Sequence, residues 1–77
     1  MSADLEKVVI NAIEKNVAGL HIDESMMDHA LGELGVDSLD VMLVMMDIQE
    51  ATGITITDDD VEGLVTPNLI VSFLRSK

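Results

Sequence analysis

Leu34-Gly35-Val36-Asp37-Ser38-Leu39-Asp40, with the apolar run that continues to Ile48, decides how this chain is read. Asp37 suits a helix N-cap, its carboxylate accepting a backbone N–H of the first turn, and Asp40 stands where the reciprocal capping-box bond would come from. Gly35 just upstream lets the chain turn sharply onto that helix. Ser38 then falls at the first helical position, its hydroxyl beside the positive end of the helix dipole. An anion attached there is stabilised by the dipole and by N–H groups that have no intrahelical partner. The stretch presents a hydroxyl placed to carry a phosphodiester.

The helix is expected at about Ser38 to Thr52, ending before Gly53, a natural C′ residue. Turned at about 100° per residue, it separates two apolar strips. Val41, Val44, Met45 and Ile48 form one; Leu39, Met42, Leu43 and Met46 form the other, across Asp40 and Asp47. A helix in a small bundle needs one core-facing strip. The second is surplus hydrophobic surface beside Ser38, where a partner would dock, and its thioethers repack cheaply around different shapes. Burial of both strips under the long preceding loop is the competing expectation.

Upstream, Ser2 can cap a helix of about Ala3 to Val17, with Leu5, Val8, Val9, Ala12 and Ile13 at helical spacing. Asp4 and Glu6 in its first turn and Lys15 near its end suit the dipole, and Gly19 ends it. From Leu20 to Gly35 no period is sustained. Leu20, Ile22, Met26, Met27, Leu31 and Leu34 point to a packed loop, with one short helical turn near Ser25 to Ala30. His21 and His29 have neither a cysteine nor a helical pair spacing beside them, so they read as loop histidines and no metal site is expected.

Downstream, Ile54-Thr55-Ile56-Thr57 reads as an extended connector that drops Ile56 into the core. Thr57 caps a short helix of about Asp58 to Leu64, which contributes Val61 and Leu64, with Asp58, Asp59 and Asp60 in its first turn. Asp58, Asp60, Glu62 and Gly63 imitate the start of an EF-hand loop. The position that needs a bidentate Glu is Leu69, and Pro67 interrupts the frame, so no specific calcium site is expected. Thr66-Pro67 starts a last helix with Leu69, Ile70, Phe73 and Leu74 on one face and Arg75 and Lys77 at its negative end. The expected fold is all-α: a small four-helix bundle of three main helices and one short one, with a long first loop, in a single domain over residues 1–77.

The formal net charge is -11, and no Lys or Arg stands between Lys15 and Arg75. Phosphates would be repelled, which excludes nucleic acid as an ordinary partner and favours proteins with basic patches. The hydrophobic fraction of 48% and its periodicity exclude a disordered acidic tail. Without cysteine the chain has no thiol of its own, so any reactive thiol arrives on a cofactor. The N-terminus lacks a signal pattern and no apolar run reaches spanning length, so a cytoplasmic protein is expected.

In the Leu34–Asp40 motif, midway along an acidic helical chain of this length, the sequence resembles the acyl carrier protein family. The resemblance covers essentially the whole chain. It implies a carrier rather than an enzyme: Ser38, flanked by Asp37 and Leu39, would be esterified with 4′-phosphopantetheine from coenzyme A by a phosphopantetheinyl transferase. Acyl intermediates of fatty acid, specialised lipid or polyketide synthesis would then ride on the arm as thioesters. Leu39, Asp40, Met42, Leu43, Met46 and Asp47 would dock the monomeric carrier on acyl-loading, ketosynthase-type and acyltransferase-type enzymes. Val44, Met45, Ile48, Ile56, Val61, Leu64, Ile70 and Phe73 would line the pocket for the acyl chain. The chain departs from the family's fatty-acid members at Leu43, where they commonly carry an acid, and near Ala30 and at Thr52, where they carry aromatics. Two alternatives stay open: a peptidyl or D-alanyl-type carrier using the same serine, and an unmodified acidic adaptor binding through the second strip.

Overall fold

Val9, Ile13, Val44, Ile48 and Ile70 are withdrawn from water completely, and they come from three helices that share one seam. The computed structural model describes the backbone of residues 2–77 and the side chains of residues 5–77. In chain order the helices are α1 (Ser2–Asn16), α2 (Ser38–Thr52), α3 (Asp58–Gly63) and α4 (Pro67–Arg75). No strand forms among the described residues. α2 and α4 both pack on α1, and the molecule measures 29 × 25 × 19 Å.

α1 lies one residue earlier at each end than its apolar period predicts. The Ser2 cap and the Asp4 charge lie outside the described side chains. The helix stops at Asn16 and the chain turns through Gly19, whose φ of 82° suits only glycine at low cost. Asn16 closes the end usefully: its Nδ2 donates to the Ala12 carbonyl at 2.8 Å and to Asp47 Oδ2 on α2 at 2.6 Å.

The long loop differs from its sequence reading. One turn is expected near Ser25 to Ala30, but two 3-10 turns form, Glu24–Met26 and Leu31–Leu34. Such turns are too short to show a helical period, so local polar contacts set their places. Asp23 caps the first by accepting Ser25 N–H, and this partnership, led by the Ser25 hydroxyl, holds the Asp23 carboxyl below its usual range. Glu33 accepts Ala30 N–H at the start of the second. Glu14 Oε2 on α1 takes Ile22 N–H at 2.8 Å and lies 3.2 Å from His21 Nδ1. The loop then buries Ile22, Met27, Leu31 and Val36 in the same core as the helices.

The far half is stitched by caps. Gln49 Oε1 accepts Ile56 N–H at 3.1 Å, so the connector after α2 is held by α2 itself while Ile56 enters the core. Thr57 and Asp60 form a reciprocal capping box at α3; those bonds, the Thr57 N–H first, lower the Asp60 carboxyl's pKa. Asp58, Asp60 and Glu62 are thereby helical, not arranged as a loop. Thr66 caps α4 with Pro67 at its first position. α4 is rotated from its expected face: Pro67, Ile70, Val71 and Leu74 are buried, Leu69 is exposed and Phe73 is half-buried. The buried set is the i, i+3, i+4, i+7 series counted from Pro67, and the ring's own burial sets that phase.

Against this small core stands a large uncompensated charge. Apart from two histidine contacts, Lys15 Nζ to Asp47 at 3.7 Å is the one ion pair among the described residues. Like charges repel in the compact state, and screening relieves this. The melting temperature is therefore expected to rise with added NaCl, and further with millimolar magnesium. Thermal melts over one salt series check it; a flat response would contradict it.

Candidate functional site

Ser38 stands exposed at the first position of α2, held there by its neighbours. Gly35 has a φ of 91° and turns the chain out of the second 3-10 turn, while Val36 is buried and anchors the approach. Asp37 has extended backbone angles, and its Oδ1 accepts Asp40 N–H at 2.9 Å. It is a true N-cap. The reciprocal bond from Asp40 to Asp37 N–H is absent among the described residues, so the capping box expected from sequence is half formed. Among the described residues no acceptor takes the N–H groups of Ser38 and Leu39. The Ser38 hydroxyl makes no hydrogen bond among the described residues. A free hydroxyl beside unpartnered N–H donors at the positive end of a 15-residue helix fits an attached phosphodiester.

The two strips of α2 behave oppositely. Val44, Met45 and Ile48 are buried and Val41 is half-buried. Leu39, Met42, Leu43 and Met46 are 68%, 60%, 41% and 59% exposed, so the loop does not cover them. At spacings of three and four they form one continuous apolar diamond that begins beside Ser38. Asp40 stands half-buried at its edge. Asp47 is half-buried, and its carboxylate accepts from Asn16 and pairs with Lys15, both at the end of α1, so it ties α2 to α1. Periodicity placed it between the strips and gave no sign of which neighbour would claim it.

Of the residues expected to line an acyl pocket, Val44, Met45, Ile48, Ile56, Leu64 and Ile70 are buried, and Val61 and Phe73 are half-buried. An open groove of about 240 Å³ runs along Val41, Val61 and Leu64 and is completed by Ala30, Leu31, Gly32 and Val65. Of these only Val61 and Leu64 were expected at a pocket; sequence reasoning placed Val41 in the core strip and missed the last four. They arrive through long-range bonds with no local signal: Leu31 N–H to the Val65 carbonyl at 2.8 Å, Asn68 N–H to the Met27 carbonyl at 2.9 Å, and Asn68 Nδ2 to Asp28 at 2.6 Å. Every side chain lining the groove is aliphatic, and it starts at Val41, one turn past Ser38.

A larger groove of about 380 Å³ lies between α1 and α2, along Val8, Ala12 and Ala51 and rimmed by Asn11, Lys15, Asp47 and Glu50. It is remote in sequence from the Ser38 turn. No cluster of three or more metal-ligating side chains exists among the described residues. His21 and His29 each lie near one carboxylate, Glu14 and Glu33.

The sequence profile of the phosphopantetheine attachment site matches residues 9–74. Among curated proteins, an acyl carrier protein of an Exiguobacterium species is 34% identical over 74 residues, covering 96% of this chain and 89% of the relative. The acyl carrier protein of Exiguobacterium sibiricum is 32% identical over the same shares of both chains. That of Desulforapulum autotrophicum is also 32% identical, over 95% of this chain and 96% of its own. No solved structure matches at a comparable level of significance.

Proposed function

The chain belongs to the acyl carrier protein family, whose cofactor is 4′-phosphopantetheine, and from that membership we propose that Ser38 carries the arm and that this protein shuttles acyl groups between enzymes without catalysing a step itself. The carrying observation is the Ser38 hydroxyl at the start of α2, which, like the N–H groups of Ser38 and Leu39 beside it, has no partner among the described residues. When attached, the arm supplies a thiol that holds an acyl group as a thioester. The chain's own residues do the rest. Asp37 fixes the turn, Leu39 opens the docking strip, and the dipole of α2 favours the negative phosphodiester. A tethered cargo is presented at high effective concentration to each enzyme in turn.

Leu39, Met42, Leu43 and Met46 are the proposed docking surface, with Asp40 at its rim. Cations on phosphopantetheinyl transferase, acyl-loading, ketosynthase-type and acyltransferase-type enzymes would steer toward the net charge of -11. The same charge opposes self-association and supports a monomer. The aliphatic groove along Val41, Val61 and Leu64 supports an acyl cargo over an aminoacyl one, because it offers an amine no partner. Val44, Met45, Ile48, Ile56, Ile70 and Phe73, which belong to or pack on the same core as Leu64, would yield as a longer chain enters. The reading locates the carrier in the cytoplasm, where coenzyme A is used; among the described residues no helix is long and apolar enough to cross a membrane.

Intact mass after incubation with coenzyme A and a phosphopantetheinyl transferase tests the proposal. An unchanged mass rejects it and favours an unmodified adaptor. Intact mass of the protein from its native source would name the cargo and, with it, a fatty acid, specialised lipid or polyketide pathway.

Leu43 is the position expected to set partner choice. It is a 41% exposed leucine at the centre of the diamond, in a family whose fatty-acid members commonly carry an acid there. Leu43→Glu should speed use by general fatty-acid synthesis enzymes and slow use by this carrier's own partner, each by roughly tenfold for about 1.4 kcal/mol. Turnover with both enzyme sets checks it, and equal rates for the two proteins would refute it.

A further inference from the structure

We infer that Met42 and Met46 are a peroxide-reactive modification site, and that their conversion to methionine sulfoxide switches off docking at the Ser38 end of α2. The inference rests on the docking reading above. It starts from a contrast within one chain. Met42 and Met46 are 60% and 59% exposed, while Met45 and Met27 are 3% and 5% exposed, and Met26 is half-buried. Thioether oxidation follows access, so the chain carries fast and slow methionines side by side on one helix. With no cysteine present, these two thioethers are the most accessible oxidisable sulfurs among the described side chains.

The reaction balances simply. A sulfur lone pair attacks one oxygen of hydrogen peroxide, the O–O bond breaks, an S–O bond forms, and water leaves. Sulfur loses two electrons to the peroxide. The product is reversible by methionine sulfoxide reductases with a thiol reductant. What it changes is specific to this surface. Met42 and Met46 are one helical turn apart on the same face, flanked by Leu39 and Leu43, which can satisfy no hydrogen bond. A sulfoxide oxygen carried into an apolar contact there stays unpaired, which opposes docking. The core is untouched, because Met45 and Met27, whose oxidation would damage packing, are shielded by the fold. The modification therefore acts on recognition and leaves the bundle standing.

The test uses the full chain without its arm, so that no cofactor thiol competes. After dilute hydrogen peroxide and removal of the excess with catalase, peptide mass mapping should find oxygen on Met42 and Met46 several-fold sooner than on Met45 and Met27. The kcat/KM for modification of Ser38 by a phosphopantetheinyl transferase with coenzyme A should then fall on the order of tenfold per sulfoxide, the effect of one poorly paired polar group in a contact. Circular dichroism should be unchanged, and a methionine sulfoxide reductase should restore the rate. The double variant Met42→Leu/Met46→Leu, treated identically, should keep its own untreated rate. Even oxidation of all methionines, an undiminished rate in protein fully oxidised at both positions, or an equal loss in the double variant would each overturn the inference. Failure of the untreated protein to be modified at Ser38 would instead overturn the carrier reading beneath it.

Discussion

Ser38→Ala should give a protein that remains helical and can no longer be loaded. The hydroxyl is the proposed attachment point, and its removal leaves the transferase no acceptor, so the mass shift with coenzyme A should vanish entirely. The fold should hardly notice. Ser38 is exposed and its side chain makes no hydrogen bond among the described residues, whereas the capping bond to Asp40 N–H comes from Asp37. Alanine is also the better helix former, so stability should move by no more than about 0.5 kcal/mol. Asp37→Ala is the counter-experiment. It removes the true cap and should cost about 0.5–2 kcal/mol while leaving the acceptor hydroxyl in place. A mass shift retained in Ser38→Ala would place the arm on another hydroxyl, Ser25 or Ser72 for example, and the account of α2 as its platform would fall.

What made Ser38 and α2 legible is that their determinants are local. Asp37, Gly53, Thr57 and Thr66-Pro67 each stop or start a helix through bonds reaching only a few residues, and such bonds leave a mark in sequence spacing. The division of α2 into a buried and a bare strip was legible for the same reason, since one helix has one period.

The parts that escaped are those fixed from a distance. Asp47 borders the bare strip in sequence, and the contacts that Asn16 and Lys15 make with its carboxylate come from a helix about thirty positions earlier. The two 3-10 turns are held to the α3–α4 junction by Leu31, Asn68 and Asp28 across the whole second half of the chain. The groove that results is lined on one side by residues with no periodic signature. Leu69 was expected on one face with Ile70, Phe73 and Leu74; the buried face instead runs through Pro67, Ile70, Val71 and Leu74, and Leu69 lies outside it.

The separation of the two strips yields the other large expected effect. Ile48 and Met46 are two residues apart on α2, one fully buried and one 59% exposed. Ile48→Ala deletes three carbons from the seam between the helices and leaves a void that packed neighbours fill only in part, at a cost of about 2–5 kcal/mol. Total stability for a domain of this size is roughly 4–12 kcal/mol. At about 4–8 °C per kcal/mol, the melting temperature should fall by about 8–40 °C, and the variant should be partly unfolded at 37 °C. Met46→Ala removes a side chain of similar volume from the same helix, yet it should shift stability by no more than about 0.5 kcal/mol, because that side chain already lies in water. Its effect belongs to docking: Ser38 modification should slow several-fold, from the lost burial of one apolar side chain on contact with the transferase. Melts of both variants and transferase kinetics on Met46→Ala decide the matter. If Met46→Ala lost stability comparable to Ile48→Ala, the strip would be packed against the protein in solution, and the proposed docking surface would not exist as a surface. If it kept full stability and full transferase rate, the strip would be bare but unused by that enzyme, and the docking role would rest on the acyl-handling partners alone.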